Sequence, residues 1–282
     1  MDESCLQFRL TDAERVQFDE EGFLVVRNVL SADDIASLTS AADQLDSEYR
    51  PKMELGPHQP LNLLDAIGKD DVFLPLLDWP RTFAKVVDIL GWHIQLYHSH
   101  MIVTPPLAPD FSPKHPRLGW HQDSGRLNLD IETNPRPRIS LKVGFFLTDL
   151  SETDRGNFHV IPGSHLNNTL SFPEADRDHL DAIPVTISAG DAVFFDRRLW
   201  HAAGRNTSAL TRKVLFLGYS YRWLKPRDDM TVAHYLDRSD PIQKQLLGES
   251  PNGGFGYTSP TDEDVPLKIW WAEHVGEDAV VP

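Results

Sequence analysis

The sequence predicts a mainly β protein with flanking helices, arranged as a double-sheet jelly roll. From residue 93 onward it contains short runs rich in β-branched and aromatic residues, separated by Gly, Pro, Asn and Asp: HIQLYHSHMIV, RISLKVGFFLTDL, FHVIPGSH, PVTISAGDAVFFD and RKVLFLGYSYRW. No helical pattern lies between these runs, and strands joined without helices pair in antiparallel fashion. We expect one domain spanning 1–282, with a helical N-terminal part (about 1–92), a jelly-roll core (about 93–223) and a C-terminal lid or tail (about 224–282).

The N-terminal part predicts three helices and one strand. In TDAERVQFDEEG a Thr-x-x-Glu capping pattern begins a short helix that Gly22 ends, and FLVVRNV follows as a strand. A second helix, capped from Ser31, is expected to end before Pro51, because a proline disfavours helical backbone in the residue that precedes it. Residues 51–72 carry three prolines and little periodicity and predict a loop, whereas RTFAKVVDILG predicts a third helix.

Composition limits which kinds of binding partner and which cellular compartment we expect. The 282 residues include 40% hydrophobic and 24% charged side chains, enough for a full core in a soluble globular protein. A net charge of −15 disfavours nucleic acid and anionic membranes, so we expect a small-molecule partner; the sequence sets no oligomeric state. The chain shows neither a secretion signal nor an apolar run of about 20 residues. A single cysteine, Cys5, excludes intramolecular disulfides and Cys-rich clusters, which favours the cytoplasm and leaves His and carboxylate as metal ligands.

One short stretch, RLGWHQDSGR at residues 117–126, places a histidine and an aspartate two positions apart. Alternate side chains of an extended strand share a face, so His121 and Asp123 would project together with Gln122 opposite. A His-x-Asp triplet recurs by chance, so a third ligand is needed. The best candidate is His201, at the end of the apolar strand in GDAVFFDRRLWHAAGRN. Two histidines and one carboxylate leave three metal positions open, as in non-haem Fe(II) oxygenases, where a cosubstrate can chelate two and O2 can take the last.

An anionic cosubstrate needs a counter-charge. Arg212 lies eleven residues past His201, about the distance needed to turn and return on the next strand. Its guanidinium could hold a distal carboxylate in bidentate fashion, with Lys142 and Arg198 as the next candidates.

Several longer motifs make the chain resemble the phytanoyl-CoA dioxygenase (PhyH) family of Fe(II)/2-oxoglutarate oxygenases. They are FDEEGFLVVRNVLSADDI, WHQD, LTDLSETDRGNFHVIPGSH, GDAVFFDRRLWHAAGRN and the later Arg212, and they cover roughly residues 15–223. The resemblance implies a double-stranded β-helix of cupin-like jelly-roll type. It also implies iron ligation by His121, Asp123 and His201, with Arg212 on the C5 carboxylate of 2-oxoglutarate. Because Asp123 is present, the resemblance favours hydroxylation over halogenation, which in family relatives accompanies Gly or Ala at this position.

The chain departs from the family pattern in the cosubstrate pocket. Ala203 stands where a hydroxyl residue commonly contacts 2-oxoglutarate. His98 takes the place of a Gln or Asn on the strand before the triplet, and Thr104 falls near a position that is often Lys. His98 and Thr104 are therefore expected to help bind the cosubstrate. For the substrate, the candidates are Arg126, His100 and Trp200, although a surface salt bridge for Arg126 and packing against the barrel wall for Trp200 are competing roles.

These features predict a dioxygenase that uses Fe(II), 2-oxoglutarate and O2 to oxidise an unactivated C–H bond of a small metabolite or natural product, with release of succinate and CO2. Two alternatives remain open. A non-catalytic cupin-like small-molecule binding protein would keep the fold and turn over no 2-oxoglutarate. A zinc hydrolase with the same three ligands would need a general base and would leave Arg212 without a role.

Overall fold

The computed structural model describes residues 1–114, 116–172 and 177–280. Its strands are β1 Phe23–Val26, β2 Leu61–Leu64, β3 Ile94–Thr104, β4 Ser140–Phe146, β5 Phe158–Val160, β6 Ile183–Pro184, β7 Ala192–Asp196, β8 His201–Ala203 and β9 Arg212–Tyr221. The α-helices are α1 Asp12–Glu21, α2 Ala32–Lys52, α3 Pro80–Leu90, α4 Gly125–Asp130, α5 Pro241–Leu246 and α6 Pro266–Val275. Short 3₁₀ helices lie at Glu3–Phe8, Ala66–Gly68, Asp71–Asp78, Ser164–Leu166, Ala233–Arg238, Asp262–Asp264 and Glu277–Val280.

Two antiparallel sheets form the core. The large sheet has the strand order β1-β7-β4-β9-β3-β2, and the small sheet has the order β6-β5-β8. Aromatic and aliphatic side chains from both sheets, including Phe146, Phe158, Val160, Phe195 and Phe216, pack together in one buried cluster. A second cluster joins the large sheet to the helices. The prediction of a jelly roll with flanking helices is therefore confirmed.

The predicted helix boundaries near the N-terminus are confirmed where they depend on local signals. Thr11 and Glu14 form the reciprocal capping box of α1, and Ser31 and Asp34 form that of α2. Gly22 ends α1 with a left-handed φ of 80°, and its N–H donates to Phe18. A side chain at Gly22 would also meet the ring of His165, so glycine is required there on two grounds.

Two predictions for residues 51–72 are wrong. Helix α2 does not end before Pro51 but continues to Lys52. Pro51 is the last residue but one of α2, so the helix ends one residue beyond the proline. The predicted loop contains β2, whose Leu61 and Leu63 are buried and whose four residues pair with the end of β3. Four residues are too few for periodicity to identify a strand, and pairing with β3 forms this one.

The C-terminal part is more ordered than a simple tail. Helix α5 packs on β3 and on the 3₁₀ helix Asp71–Asp78, and α6 packs on α5. Trp271 of α6 is 2% exposed and belongs to the core cluster of the helical layer. Within the described residues, no helix has the length and apolar character needed to span a bilayer.

A buried carboxylate fixes the turn that leads from β7 toward β8. Asp196 is 0% exposed and accepts hydrogen bonds from Arg198 Nη2 (2.6 Å) and Arg138 Nε (2.8 Å). Burial alone would raise the pKa of the Asp196 carboxyl, but the Arg198 and Arg138 guanidiniums hold it below its ordinary value. The carboxylate therefore stays ionised and holds both arginines.

We expect Asp196→Asn to lower the free energy of unfolding at neutral pH by about 1.5 to 3 kcal/mol, the usual contribution of hydrogen bonds to charged groups. The pKa of Asp196 is depressed by folding, so its contribution is present above the unfolded carboxyl pKa of about 4 and is lost as the pH falls through the folded value. Urea unfolding at neutral and acid pH measures both effects. The control is Asp43→Asn, at an exposed ion pair with Lys213, for which about 1 kcal/mol or less is expected. Equal losses in the two variants would contradict this account.

Candidate metal centre and cosubstrate pocket

Three side chains predicted as metal ligands meet at one edge of the small sheet. His121 forms an isolated β-bridge with His201 of β8, with both backbone N···O distances at 3.0 Å. The backbone N–H of Asp123 donates to the carbonyl of Arg197, which brings its carboxylate to the same place. One ligand atom from each of these residues lies within 4.8 Å of the other two. Backbone pairing thus brings the triplet next to His201, although the two are far apart in the chain.

Both imidazoles present a ring nitrogen suitable for a metal. His121 Nδ1 lies 2.9 Å from the carbonyl oxygen of Gly119, and His201 Nδ1 lies 2.9 Å from that of Leu199. A carbonyl can only accept, so each Nδ1 carries the proton and each Nε2 keeps its lone pair. Burial lowers the pKa of His201 to about 4 in spite of the nearby Asp123, so its imidazole is neutral at physiological pH. Neutral imidazole is the form that binds metal.

The third predicted ligand, Asp123, is an ionised carboxylate held by a lysine. Asp123 is 9% exposed, and Lys142 Nζ of β4 lies 2.9 Å from its carboxylate. Burial would raise the pKa of Asp123, but the Lys142 ammonium, with the His201 and His121 rings, holds it below its ordinary value. Asn128 donates to the Asp123 backbone carbonyl at 2.8 Å and fixes the loop. Two imidazoles and one carboxylate form a donor set that fits Fe(II).

Arg212, at the start of β9, is a buried cation that has no counter-charge among the described residues. It is 2% exposed, and its Nε has no hydrogen-bond partner in the described part of the chain. Within that part no carboxylate forms an ion pair with it, and its guanidinium lies 5.6 Å from the ring centroid of Phe146. Burial lowers the pKa of Arg212 to about 10, so the group is still charged at neutral pH. A buried unpaired charge is costly, and an anionic ligand would remove that cost.

The three predicted ligands and Arg212 border one partly open cavity between the two sheets. Besides them, it is lined by His100, Ile102, Lys142, Phe158, Phe195, Ala202, Ala203, Phe216 and Arg227. Ala203 thus lies on the cavity wall, at the position where the sequence offers no hydroxyl. The structure brings His121, Asp123, His201 and Arg212 together around a single space.

The other two residues predicted to bind the cosubstrate lie away from this space. Thr104 is opposite Arg212 in the pairing of β3 with β9, but it is not among the lining residues. His98 is 0% exposed and lies behind the wall, where its Nε2 is 3.0 Å from Arg227 Nη1. Its contact is with another protein side chain rather than with the cavity.

Of the three residues predicted to contact the substrate, one lines the cavity and two do not. His100 lines the cavity. Trp200 is half-buried outside the lining, and its Nε1 donates to the carbonyl of Asn167 at 3.3 Å. The Arg126 side chain is 82% exposed and forms an ion pair with Asp130 one helical turn away. Of the three residues, only His100 lines the cavity.

Two further cations line the cavity: Lys142, which the sequence offered only as an alternative to Arg212, and Arg227, which it did not indicate. Lys142 stands in the apolar run ISLKVGFF, and a lysine inside a buried strand is a signal of a specific partner, which the structure shows to be Asp123. Arg227 follows β9 in a polar segment, KPRDD, where nothing in the sequence separates it from an ordinary surface residue. Its position on the wall depends on tertiary contacts.

Comparison with known proteins agrees with this architecture. A model of the family "Phytanoyl-CoA dioxygenase (PhyH)" matches residues 18–214. An uncharacterized protein of Mycobacterium tuberculosis, Rv1501, is 28% identical over 75% of this chain and 76% of its own length. The ectoine dioxygenase of Bordetella bronchiseptica is 25% identical over 74% of this chain and 75% of its own.

The fold is shared with solved oxygenase structures. HygX from Streptomyces hygroscopicus with nickel and 2-oxoglutarate bound superposes with a TM-score of 0.58 at 20% identity, over 77% of this chain and 89% of that one. The same protein with iron bound gives a TM-score of 0.59. Since the family model spans well over half of the residues, the predicted resemblance is confirmed: the chain belongs to the phytanoyl-CoA dioxygenase family of Fe(II)- and 2-oxoglutarate-dependent oxygenases.

Proposed function

We propose that this enzyme binds Fe(II) through His121, Asp123 and His201 and holds the far carboxylate of 2-oxoglutarate with Arg212. The observation that carries the proposal is the buried Arg212 guanidinium, which lacks a carboxylate partner among the described residues and borders the same cavity as the three ligands. A zinc hydrolase would leave this charge without a partner. A dicarboxylate cosubstrate could bind the metal with one end and Arg212 with the other. It would therefore account for both the ligand set and the buried guanidinium.

Each residue of the site has a separate role. The carbonyls of Gly119 and Leu199 orient the two imidazoles through Nδ1, and Lys142 holds the Asp123 carboxylate. Fe(II), 2-oxoglutarate and O2 supply the oxidation of a substrate C–H bond, with release of succinate and CO2. The aromatic wall formed by Phe158, Phe195 and Phe216 keeps water away from the reacting atoms.

For the substrate, we propose a small metabolite or natural product that is hydroxylated at an unactivated carbon. Retention of Asp123 supports hydroxylation, and the net charge of −15 argues against a bulky polyanion such as a CoA thioester. The ectoine dioxygenase relative is named for a small metabolite, which is consistent with this class. The single cysteine supports a reducing, cytoplasmic location.

The test of the cosubstrate needs no knowledge of the substrate. We expect anaerobic addition of Fe(II) and then 2-oxoglutarate to the apoprotein to produce a weak visible charge-transfer band. The band should be absent when succinate replaces 2-oxoglutarate, since succinate has no keto oxygen with which to chelate. Failure of 2-oxoglutarate to bind would favour the non-catalytic binding protein, and full zinc occupancy with hydrolytic activity would favour the hydrolase.

A further inference from the structure

The segment that follows β9 contributes a cation to the wall of the metal cavity. Arg227 is exposed overall, yet its side chain lines this cavity together with Lys142 and Arg212. Its backbone N–H donates to the carbonyl of Tyr97 on β3 at 2.8 Å. Both the main chain and the side chain of Arg227 are thus anchored to the large sheet.

A buried pair of residues holds the guanidinium in place. Asp228 has a nearly buried carboxylate that accepts from the backbone N–H of Ser99 at 2.7 Å and lies 3.3 Å from His98 Nδ1. Burial lowers the pKa of His98 although Asp228 opposes the shift, so the imidazole is neutral. With the proton on Nδ1, facing Asp228, Nε2 is free to accept from Arg227 Nη1 at 3.0 Å. The two buried residues therefore restrict where the guanidinium can lie.

The other charged groups on the cavity wall that the structure describes do not neutralise Arg227. Lys142 is paired with Asp123, and Arg212 is the group assigned to the cosubstrate. Within the described residues, Arg227 forms no ion pair, and its side-chain hydrogen bond goes to a neutral imidazole. A positioned guanidinium with free donors is suited to a planar carboxylate.

A second polar group lies on the same wall. His100 is two residues along β3 from His98, with the two ring centroids 5.4 Å apart. Burial lowers the pKa of His100 to about 3, so the ring is neutral, and its Nε2 has no hydrogen-bond partner in the described residues. A buried nitrogen of this kind needs a partner, which a substrate oxygen could provide. Ile102 and Phe216 border the cavity beside it and offer an apolar contact.

We propose that Arg227 and His100 form a carboxylate-binding subsite for the substrate, so that the substrate is a small carboxylic acid with an apolar body. The proposal rests on the proposed function, because it takes Arg212 and the metal as occupied by the cosubstrate. It also assigns His98 and Asp228 as positioning residues for Arg227. The carboxylate would fix the distance of the oxidised carbon from the metal, as positioning groups do in other enzymes.

The experiment uses straight-chain monocarboxylates from acetate to hexanoate, the matching primary amides, and inorganic phosphate as probes. They are titrated anaerobically into protein loaded with Fe(II) and 2-oxoglutarate, and binding is followed by perturbation of the charge-transfer band. We expect the carboxylates to bind and the amides to bind at least about tenfold more weakly. Arg227→Gln should weaken carboxylate binding by about tenfold, Arg227→Lys by less, and neither should change the affinity for 2-oxoglutarate. Lys225→Gln, at an exposed lysine two residues earlier, is the matched control.

Several results would overturn the subsite. They are equal carboxylate binding by the wild type and Arg227→Gln, no carboxylate binding by the wild type, or a preference for phosphate. A loss of 2-oxoglutarate affinity in Arg227→Gln would place Arg227 in the cosubstrate site instead. Absence of the band in the wild type would reject the proposed function, whereas the shift in melting temperature caused by carboxylates without iron would still test the subsite. The melting temperature without probes confirms that each variant is folded.

Discussion

His201→Ala is expected to abolish iron binding and turnover. His201 is one of the three proposed protein ligands, is 6% exposed, and presents Nε2 because Nδ1 is held by the carbonyl of Leu199. Loss of a residue that only orients a ligand costs roughly 10- to 100-fold in metal affinity, so removal of a ligand should cost more than about 100-fold. The measurements are Fe(II) or Co(II) affinity by anaerobic titration and the loss of the 2-oxoglutarate band.

The control is His159→Ala. His159 lies on the neighbouring strand β5, opposite Ala202 in the register, and is not among the residues that line the cavity. Its variant should bind metal as the wild type does. A second variant, Asp123→Asn, keeps the size of the side chain beside Lys142 and should also lose iron. Normal iron affinity in either ligand variant, with the fold intact, would disprove the metal assignment.

Arg212→Met is expected to raise the dissociation constant of 2-oxoglutarate while metal binding persists. Removing one partner of a buried, hydrogen-bonded charge pair costs about 2 to 5 kcal/mol, which corresponds to roughly 30-fold up to several thousand-fold in affinity. Methionine keeps an apolar side chain of similar length against Phe146, so the wall is preserved. The affinity is measured from the charge-transfer band at saturating Fe(II).

Because Arg212 lacks an ion-pair partner among the described residues, its removal should not destabilise the protein and could stabilise it. Arg212→Lys, which keeps the charge but loses the planar fork, should fall between methionine and the wild type. The control is Lys213→Ala, one residue further on the opposite face of β9, where Lys213 pairs with Asp43. An unchanged affinity for 2-oxoglutarate in Arg212→Met would mean that another residue holds its far carboxylate. Lys142 would then be the next residue to replace.

The features of the fold that were predicted correctly depend on neighbours in sequence. The capping boxes of α1 and α2 and the left-handed Gly22 involve residues within four positions of each other. The long strands β3, β4 and β9 carry enough β-branched and aromatic residues to be recognised alone. The short strand β2 was missed because it is defined by its register with β3, nearly forty residues later in the chain.

The same distinction applies to the site. Residue types, their order and their places at strand ends were enough to indicate His121, Asp123, His201 and Arg212 as one group, since few chemistries need two imidazoles, a carboxylate and a later cation. The sequence alone thus determined the fold class, the family and the candidate ligand set. It assigned both His98 and His100 to the site, although only His100 lines the cavity.

Only the tertiary structure decided which of these histidines borders the cavity and which supports Arg227. It also paired Lys142 with Asp123 and placed Arg227 against His98, residues that are far apart in the chain. The physical reason is that secondary structure and metal-ligand chemistry follow from local residue types. Burial, charge pairing and access to a cavity are instead set by contacts between distant segments, which exist only once both sheets have formed.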